Sequence, residues 1–204
     1  WSDKAVEGSS RFLKRLWKTV QDHVELGDVV KLDVEVLNDD LKGLRRQIYQ
    51  TLTKVGDDIG RRHTFNTAIA AVMELMNAVA KVKDTSEQAR TVIQEALEKT
   101  VLMLSPITPH ISHELWKVLG HDEAIVSVAW PAIDESALVQ DKVELMVQVN
   151  GKLRGKISVA ADAAKEAIET MALEDEHVQK FIDGKEIRKV IVVPGRLINI
   201  VVAG

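Results

Sequence analysis

The residues best placed to do chemistry lie in V-Q-V-N-G-K-L-R-G-K-I, Val147 to Ile157, where Lys152, Arg154 and Lys156 follow an Asn-Gly pair at every second position. Residues two apart on a strand share a face and stand ~6.6 Å apart, so three such cations can follow a nucleic-acid backbone. The same pattern describes an ordinary solvated strand face on which Lys and Arg discourage edge pairing. A second basic stripe, Arg11, Lys14, Arg15 and Lys18, recurs at i, i+3, i+4 and i+7. Arg61-Arg62-His63 is a dense cationic spot that suits either a solvated turn or a phosphate clamp. His110, His113 and Glu114 fall on one side of a helix, a spacing open to metal or acid–base work. They lack the His-Glu-x-x-His spacing of a metalloprotease, so capping and packing are the expected roles and no metal is expected. No Walker loop, dinucleotide fingerprint or Gly-x-Ser-x-Gly elbow occurs, and no catalytic centre is expected.

Composition narrows the classes. The chain has 204 residues with 27 basic and 31 acidic side chains, a net charge of −4, so any nucleic-acid surface must be a local patch. There is no cysteine, which rules out disulfides, thiolate zinc sites and a cysteine nucleophile. No apolar run approaches the ~20 residues of a membrane span. The first residue is Trp and its neighbours already read as the approach to a helix, as expected of a piece of a longer protein. A base-stacking surface is not expected after Trp130, where Phe181 is the only aromatic; recognition of RNA shape and backbone suits this composition better.

Two kinds of element must position these residues. Residues 1–131 read as a helical bundle. Phe12, Leu13, Leu16, Trp17 and Val20 mark a first helix with Ser9 or Ser10 as cap, and residues 21–38 are left unassigned. A second helix is expected from about Asp39 to Val55, and a third on which Phe65, Ile69, Val72, Met73, Met76 and Ala80 trace one face. A fourth begins at Thr85-Ser86 and ends near Leu104, and a short fifth spans Pro109 to Leu119 before Gly120. Residues 132–140 are expected as a linker. Residues 141–204 then read β-β-α-α-β-β, a small α+β domain with strands near 143–149, 153–159, 187–193 and 197–202, the last two joined through Pro194-Gly195.

The hairpin register follows from which residues must share a face. A plain two-residue turn at Asn150-Gly151 would put Val149 opposite Lys152 and Val147 opposite Arg154, driving cations into the core. Pairing Val149 with Leu153, Val147 with Gly155 and Leu145 with Ile157 restores an apolar face. That needs either a three-residue loop or a two-residue turn followed by a bulge. The outer face then pairs Glu144 with Ser158, Met146 with Lys156 and Gln148 with Arg154, with Lys152 at the tip.

F-N-T-A-I-A-A-V-M-E-L-M-N (Phe65 to Asn77), L-S-P-I-T-P-H-I-S-H-E-L-W (Leu104 to Trp116) and A-W-P (Ala129 to Pro131) together resemble the helical anticodon-binding domain of class I aminoacyl-tRNA synthetases. V-Q-V-N-G-K-L-R-G-K-I and V-P-G-R-L-I-N-I-V are similar to the C-terminal domain of the bacterial leucyl-tRNA synthetases. The resemblance covers essentially the whole chain. It implies a cytoplasmic ATP-dependent ligase whose catalytic half lies upstream, since His-Ile-Gly-His and Lys-Met-Ser-Lys-Ser are absent from these residues. ATP and magnesium would serve that half, with no cofactor, catalytic step or editing in this portion. The implied partners are leucine tRNA and the catalytic domain of the same chain, with no membrane and no DNA. Lys152, Arg154 and Lys156, with Arg188, Lys189 and Arg196, would hold the outer elbow of the tRNA. Arg11, Lys14, Arg15 and Lys18 would touch it from the bundle. The competing reading is a structural module that docks on the catalytic core.

Overall fold

In the computed structural model the described residues are 3–139, 142–161, 163–193 and 195–203. Of the expected features, Trp1, the linker end at Gln140, the domain start at Asp141 and Pro194 of the last turn lie outside them. The chain divides into two compact units, Trp1–Leu138 and Val139–Gly204.

In the first unit, local chemistry sets where helices begin and stop. Helix α1 is Asp3–Val24, α2 Asp39–Gly60, α3 Phe65–Val79, α4 Glu87–Leu104, α5 Pro109–Val118 and α6 Glu135–Leu138, with single 3-10 turns at Val34–Val36 and Ile125–Ser127. Asn38 caps α2 by accepting the Leu41 N–H at 2.9 Å, and Ser86 caps α4 through the Ala89 N–H at 3.2 Å. Pro109 opens α5, where its missing N–H has no helical partner to lose. Gly120 takes φ 97 just past that helix's end.

Two expectations are corrected. Ser9 and Ser10 lie inside α1, which starts at Asp3, so neither is a cap. The buried face of α3 is Ala68, Ala71, Val72, Leu75, Met76 and Val79. Phe65 is exposed, and Ile69 and Met73 are half-buried. The buried stripe is thus centred on Ala68, Val72, Leu75 and Val79, which leaves Phe65 and Met73 on its margin.

Several residues of the stretch expected as a linker, 133–138, are held on the bundle. Arg45, buried on α2, is held bidentately by Glu95 at 2.8 and 3.2 Å and by Asp134 at 2.6 Å. Burial opposes its charge, but the bonds to Glu95 and Asp134 outweigh that and raise its pKa. The pairing ties residue 134 to the bundle, and Ile133, Ala137 and Leu138 pack on the bundle core. A guanidinium taken out of water requires such counter-charges.

The second unit runs β1 Lys142–Val149, β2 Lys152–Ala160, α7 Lys165–Glu174, α8 Glu176–Ile182, β3 Ile187–Val193 and β4 Leu197–Val202. This is the β-β-α-α-β-β order read from the sequence. The sheet order is β2-β1-β4-β3, with β1 and β4 parallel and the outer pairs antiparallel. Leu145, Val147, Val149, Ile157, Val159, Ile198, Ile200 and Val202 form the inward face, packed with Ala172 of α7 and Val178 of α8. Met146, Ile191 and Val193 are exposed on the outward face.

α8 sits so close to β2 that a Cβ at Gly155 would lie 3.0 Å from both Asp175 Oδ1 and Val178 Cγ2. Asp175 cannot swing aside freely, because the same oxygen accepts the His177 and Val178 N–H groups as the helix cap. Gly155→Ala is therefore expected to destabilise the second unit by about 1–3 kcal/mol. Chemical denaturation followed on that unit's signals checks this, and an unchanged midpoint would contradict the close approach.

Candidate nucleic-acid interface

The hairpin turns on Asn150 at φ 48 and Gly151 at φ 77. Both residues are left-handed, which is the two-residue turn whose twist matches the strands. Asn150 also fixes the tip to β4. Its Oδ1 accepts the Val202 N–H at 3.0 Å, and its Nδ2 donates to the Val202 carbonyl at 3.3 Å. Gly151 donates its N–H to Asn199 Oδ1 at 3.0 Å.

From this turn the pairing runs Val149 with Lys152 and Gln148 with Leu153, then shifts to Val147 with Gly155, Met146 with Lys156 and Leu145 with Ile157. The turn-plus-bulge solution is the one formed. The expected pairs Val147–Gly155, Leu145–Ile157, Met146–Lys156 and Glu144–Ser158 are present. Val149–Leu153 and Gln148–Arg154 are not, because Arg154 is the extra, unpaired residue of the bulge.

That difference breaks the expected basic row. Leu153, not Arg154, stands opposite Gln148 and is 55% exposed. Arg154 is carried to the helical side of the sheet, its Cζ 4.0 Å above the ring of Phe181 in α8. Lys156 keeps the outward face, 3.7 Å from Glu144 in a solvent-exposed pair. Lys152 is exposed beside the turn. The three cations therefore project in different directions around one hairpin.

The other candidates of this unit stand at its far edge. Val190 and Val192 pack inward, so Lys189, with Ile191 and Val193, takes the outward side of β3. Arg188 is the bulged residue between Ile187 and Lys189, and Arg196 lies exposed in the turn before β4. Charge is strongly partitioned along this part of the chain. Residues 142–160 and 187–203, the strands with their tight turns, hold seven basic residues and one acidic residue. Residues 161–186, which contain both helices, hold three basic and eight acidic residues. A unit with no net excess of cations thus has an electropositive sheet and an electronegative helical layer, the local patch that an acidic chain needs to attract a polyanion.

On the bundle, Arg11, Lys14, Arg15 and Lys18 are all exposed along α1. Arg15 lies 5.9 Å over the Phe12 ring, and Lys18 is paired with Asp22 at 2.7 Å, which raises its pKa. Among the described residues Arg11 and Lys14 form no ion pair.

The other constellations are engaged internally. Arg61 pairs with Asp57, and Arg62 and Lys54 reach the buried Asp58 at 3.2 and 2.6 Å. The Thr64 hydroxyl donates to Asp58 at 3.1 Å, so this turn is a carboxylate-centred lock with little unpaired charge for a phosphate. His113 Nδ1 accepts the Ile125 N–H at 3.4 Å, and Glu114 pairs with Lys117 at 3.5 Å. Among the described residues no group of three His, Cys, Asp or Glu could hold a metal ion, and no helix is long and apolar enough to cross a membrane.

Phe181 is the residue that strand alternation alone misses. Its signal was the glycine at 155, since a glycine inside a strand marks a bulge or a close approach.

Asp58 gives a test of the lock. The Lys54 ammonium above all, with the Thr67 and Thr64 hydroxyls, lowers its pKa from 3.8 to about 2. A depressed carboxylate stabilises the fold above its unfolded pKa, and that contribution disappears as pH falls through the folded value. Asp58→Asn is expected to flatten the fall in thermal midpoint between about pH 4 and pH 2. Parallel wild-type and variant curves would contradict the lock.

Comparison with known proteins bears on the family and the fold. Residues 42–169 match the model of the anticodon-binding domain of tRNA ligase. A leucine–tRNA ligase of Thioalkalivibrio sulfidiphilus is 62% identical over 99% of this chain and 25% of that protein. One of Chromohalobacter salexigens is 59% identical over 98% of this chain and 24% of that protein. A solved structure, the ternary complex of Agrobacterium radiobacter K84 agnB2 LeuRS with tRNA and LeuAMS, superposes with a TM-score of 0.78 at 27% identity. It covers 100% of this chain and 27% of that one. The chain thus spans about a quarter of the length of the curated relatives it matches. With its helical unit and the small mixed sheet that follows, the chain belongs to the anticodon-binding domain family of tRNA ligases.

Proposed function

We propose that this chain is the tRNA-binding portion of a leucine–tRNA ligase and that leucine tRNA is its RNA partner. The observation that carries the reading is the partition of charge in the second unit, seven cations to one carboxylate over the strands and turns. Its support is a similar structure solved with tRNA present and the identity to leucine–tRNA ligases along the whole chain. Lys152, Arg154, Lys156, Arg188, Lys189 and Arg196 supply phosphate contacts, which position an RNA without reading its bases. Arg11, Lys14, Arg15 and Lys18 offer a second contact on α1.

On this reading the chain contributes binding and not chemistry. Leucine activation, with ATP and magnesium, belongs to the remainder of the polypeptide, which is also this chain's protein partner, and the setting is the cytoplasm. A structural role accompanies RNA binding, because α1 leaves Val6 and Trp17 exposed and available to pack against that remainder. Neither a membrane nor DNA is a partner.

Two outcomes are expected. Replacing Lys152, Lys156 and Lys189 together with Ala should weaken binding of leucine tRNA. It should also lower the slope of log affinity against log salt by roughly one for each phosphate that is no longer neutralised. Fluorescence anisotropy across a salt series measures both, and an unchanged slope would remove these residues from the interface. The chain alone should show no leucine-dependent exchange of pyrophosphate into ATP; measurable exchange would place catalysis within it.

A further inference from the structure

We infer that Phe181 is a positioning residue for RNA binding: its ring holds the Arg154 guanidinium as a pre-set phosphate fork at the edge of the hairpin. The inference rests on the reading of this chain as a tRNA-binding portion and assigns to one pair of residues a role beyond it.

The geometry separates Arg154 from other arginines of the chain. Arg45 has its Nε and Nη2 donors engaged by Glu95 and Asp134. Arg61 and Arg62 are paired with Asp57 and Asp58. Arg90 donates to the carbonyls of Gly27 and Asp28. In each case the planar donor edge is engaged, as expected of an arginine that serves the fold. Arg154 is ordered in another way. Its Cζ lies 4.0 Å over the Phe181 ring, and among the described residues it makes no hydrogen bond or ion pair. A cation–ring attraction at this distance consumes none of the guanidinium's N–H donors, which remain available to a phosphate.

Three features place the pair. The bulge removes Arg154 from the strand ladder, so its side chain is not bound to the outward face. The lack of a Cβ at Gly155 lets the first turn of α8 settle on β2, which brings Phe181 within stacking range. Phe181 is fixed in turn by packing on the second unit's core. Asp175, the carboxylate nearest Gly155, has one oxygen engaged as the cap of α8 and forms no ion pair with Arg154.

A fork held in one rotamer loses less conformational freedom on binding than the long, mobile side chains of Lys152 and Lys156. Two parallel N–H bonds also match a phosphate better than a lysine point charge. Arg154 is therefore expected to carry more of the affinity than either lysine, and Phe181 to act through it.

The test is a double-mutant cycle on the 204-residue chain, read as affinity for leucine tRNA at fixed moderate salt. Arg154→Ala and Phe181→Leu should each weaken binding, the latter about three- to tenfold, from loss of the cation–ring attraction. Phe181→Leu should have no further effect once Arg154 is Ala, and Phe181→Tyr should retain affinity. Arg154→Lys keeps the charge and the attraction to the ring but loses the fork, and should by itself weaken binding. The unfolding midpoint of each variant separates a folding defect from a binding defect. If Phe181→Leu weakens binding equally with and without Arg154, or has no effect, the positioning role is overturned while RNA binding stands. If Arg154→Ala leaves binding intact while the lysine variants impair it, this inference fails and the functional reading survives. If none of them changes affinity, both fail.

Discussion

The second unit is organised around a place where any side chain would be crowded. α8 rests on β2 at Gly155, and a Cβ there would meet the helix cap and a core valine at 3.0 Å. The left-handed turn at Asn150-Gly151 sets the first two pairs of the hairpin, and the packing of apolar residues on one face sets the pairs from Val147 inward. These demands differ by one residue, and the bulge at Arg154 absorbs the mismatch. The direction of each cation follows from that: Lys156 outward, Lys152 at the tip, Arg154 over a ring on the helical side. The pattern of positive charge is a consequence of how a turn and a helix are reconciled on one strand.

The bundle meets a comparable constraint with ions instead of a glycine. Arg45 is buried on α2, and its charge is answered by Glu95 within the bundle and by Asp134 from the segment that follows it. Removing either carboxylate would leave a buried cation with less compensation, which is far more costly than losing a surface pair. The pairing also defines where the first unit ends, because it holds residues up to Leu138 on the bundle core. The Asp58 lock does similar work at the turn between α2 and α3, where cations that look available for phosphate are paired within the fold.

Much of this was legible in the amino-acid order, and the exceptions are physical. The cap at Ser86, the proline opening α5 and the glycine after it mark boundaries by local chemistry, so those helices were readable, whereas α2 runs on to Gly60, past the expected end near Val55. The strands 187–193 and 197–202 were readable from β-branched runs, and the hairpin from Asn-Gly between alternating segments. The face of α3 was not, because a stripe through Phe65, Ile69 and Met73 and one through Ala68, Leu75 and Val79 both fit helical spacing, and only tertiary packing selects the second. The start of α1 was missed because serines that resemble caps can equally lie within a helix. For the site, alternation narrowed the register to a loop or a bulge and could not choose, since that depends on what packs above Gly155. The stacking of Arg154 on Phe181, 27 positions later, is tertiary, and its one local trace is the glycine at 155.

On the proposed function, RNA meets the electropositive hairpin and sheet edges of the second unit. Amide hydrogen exchange of the chain with and without leucine tRNA tests it most directly. Slowed exchange is expected at the hairpin tip around residues 150–156 and near Arg188 to Arg196, lost at high salt, with the acidic helices α7 and α8 little changed. Protection confined to the acidic helices, or to the bundle with the hairpin unaltered, would contradict it.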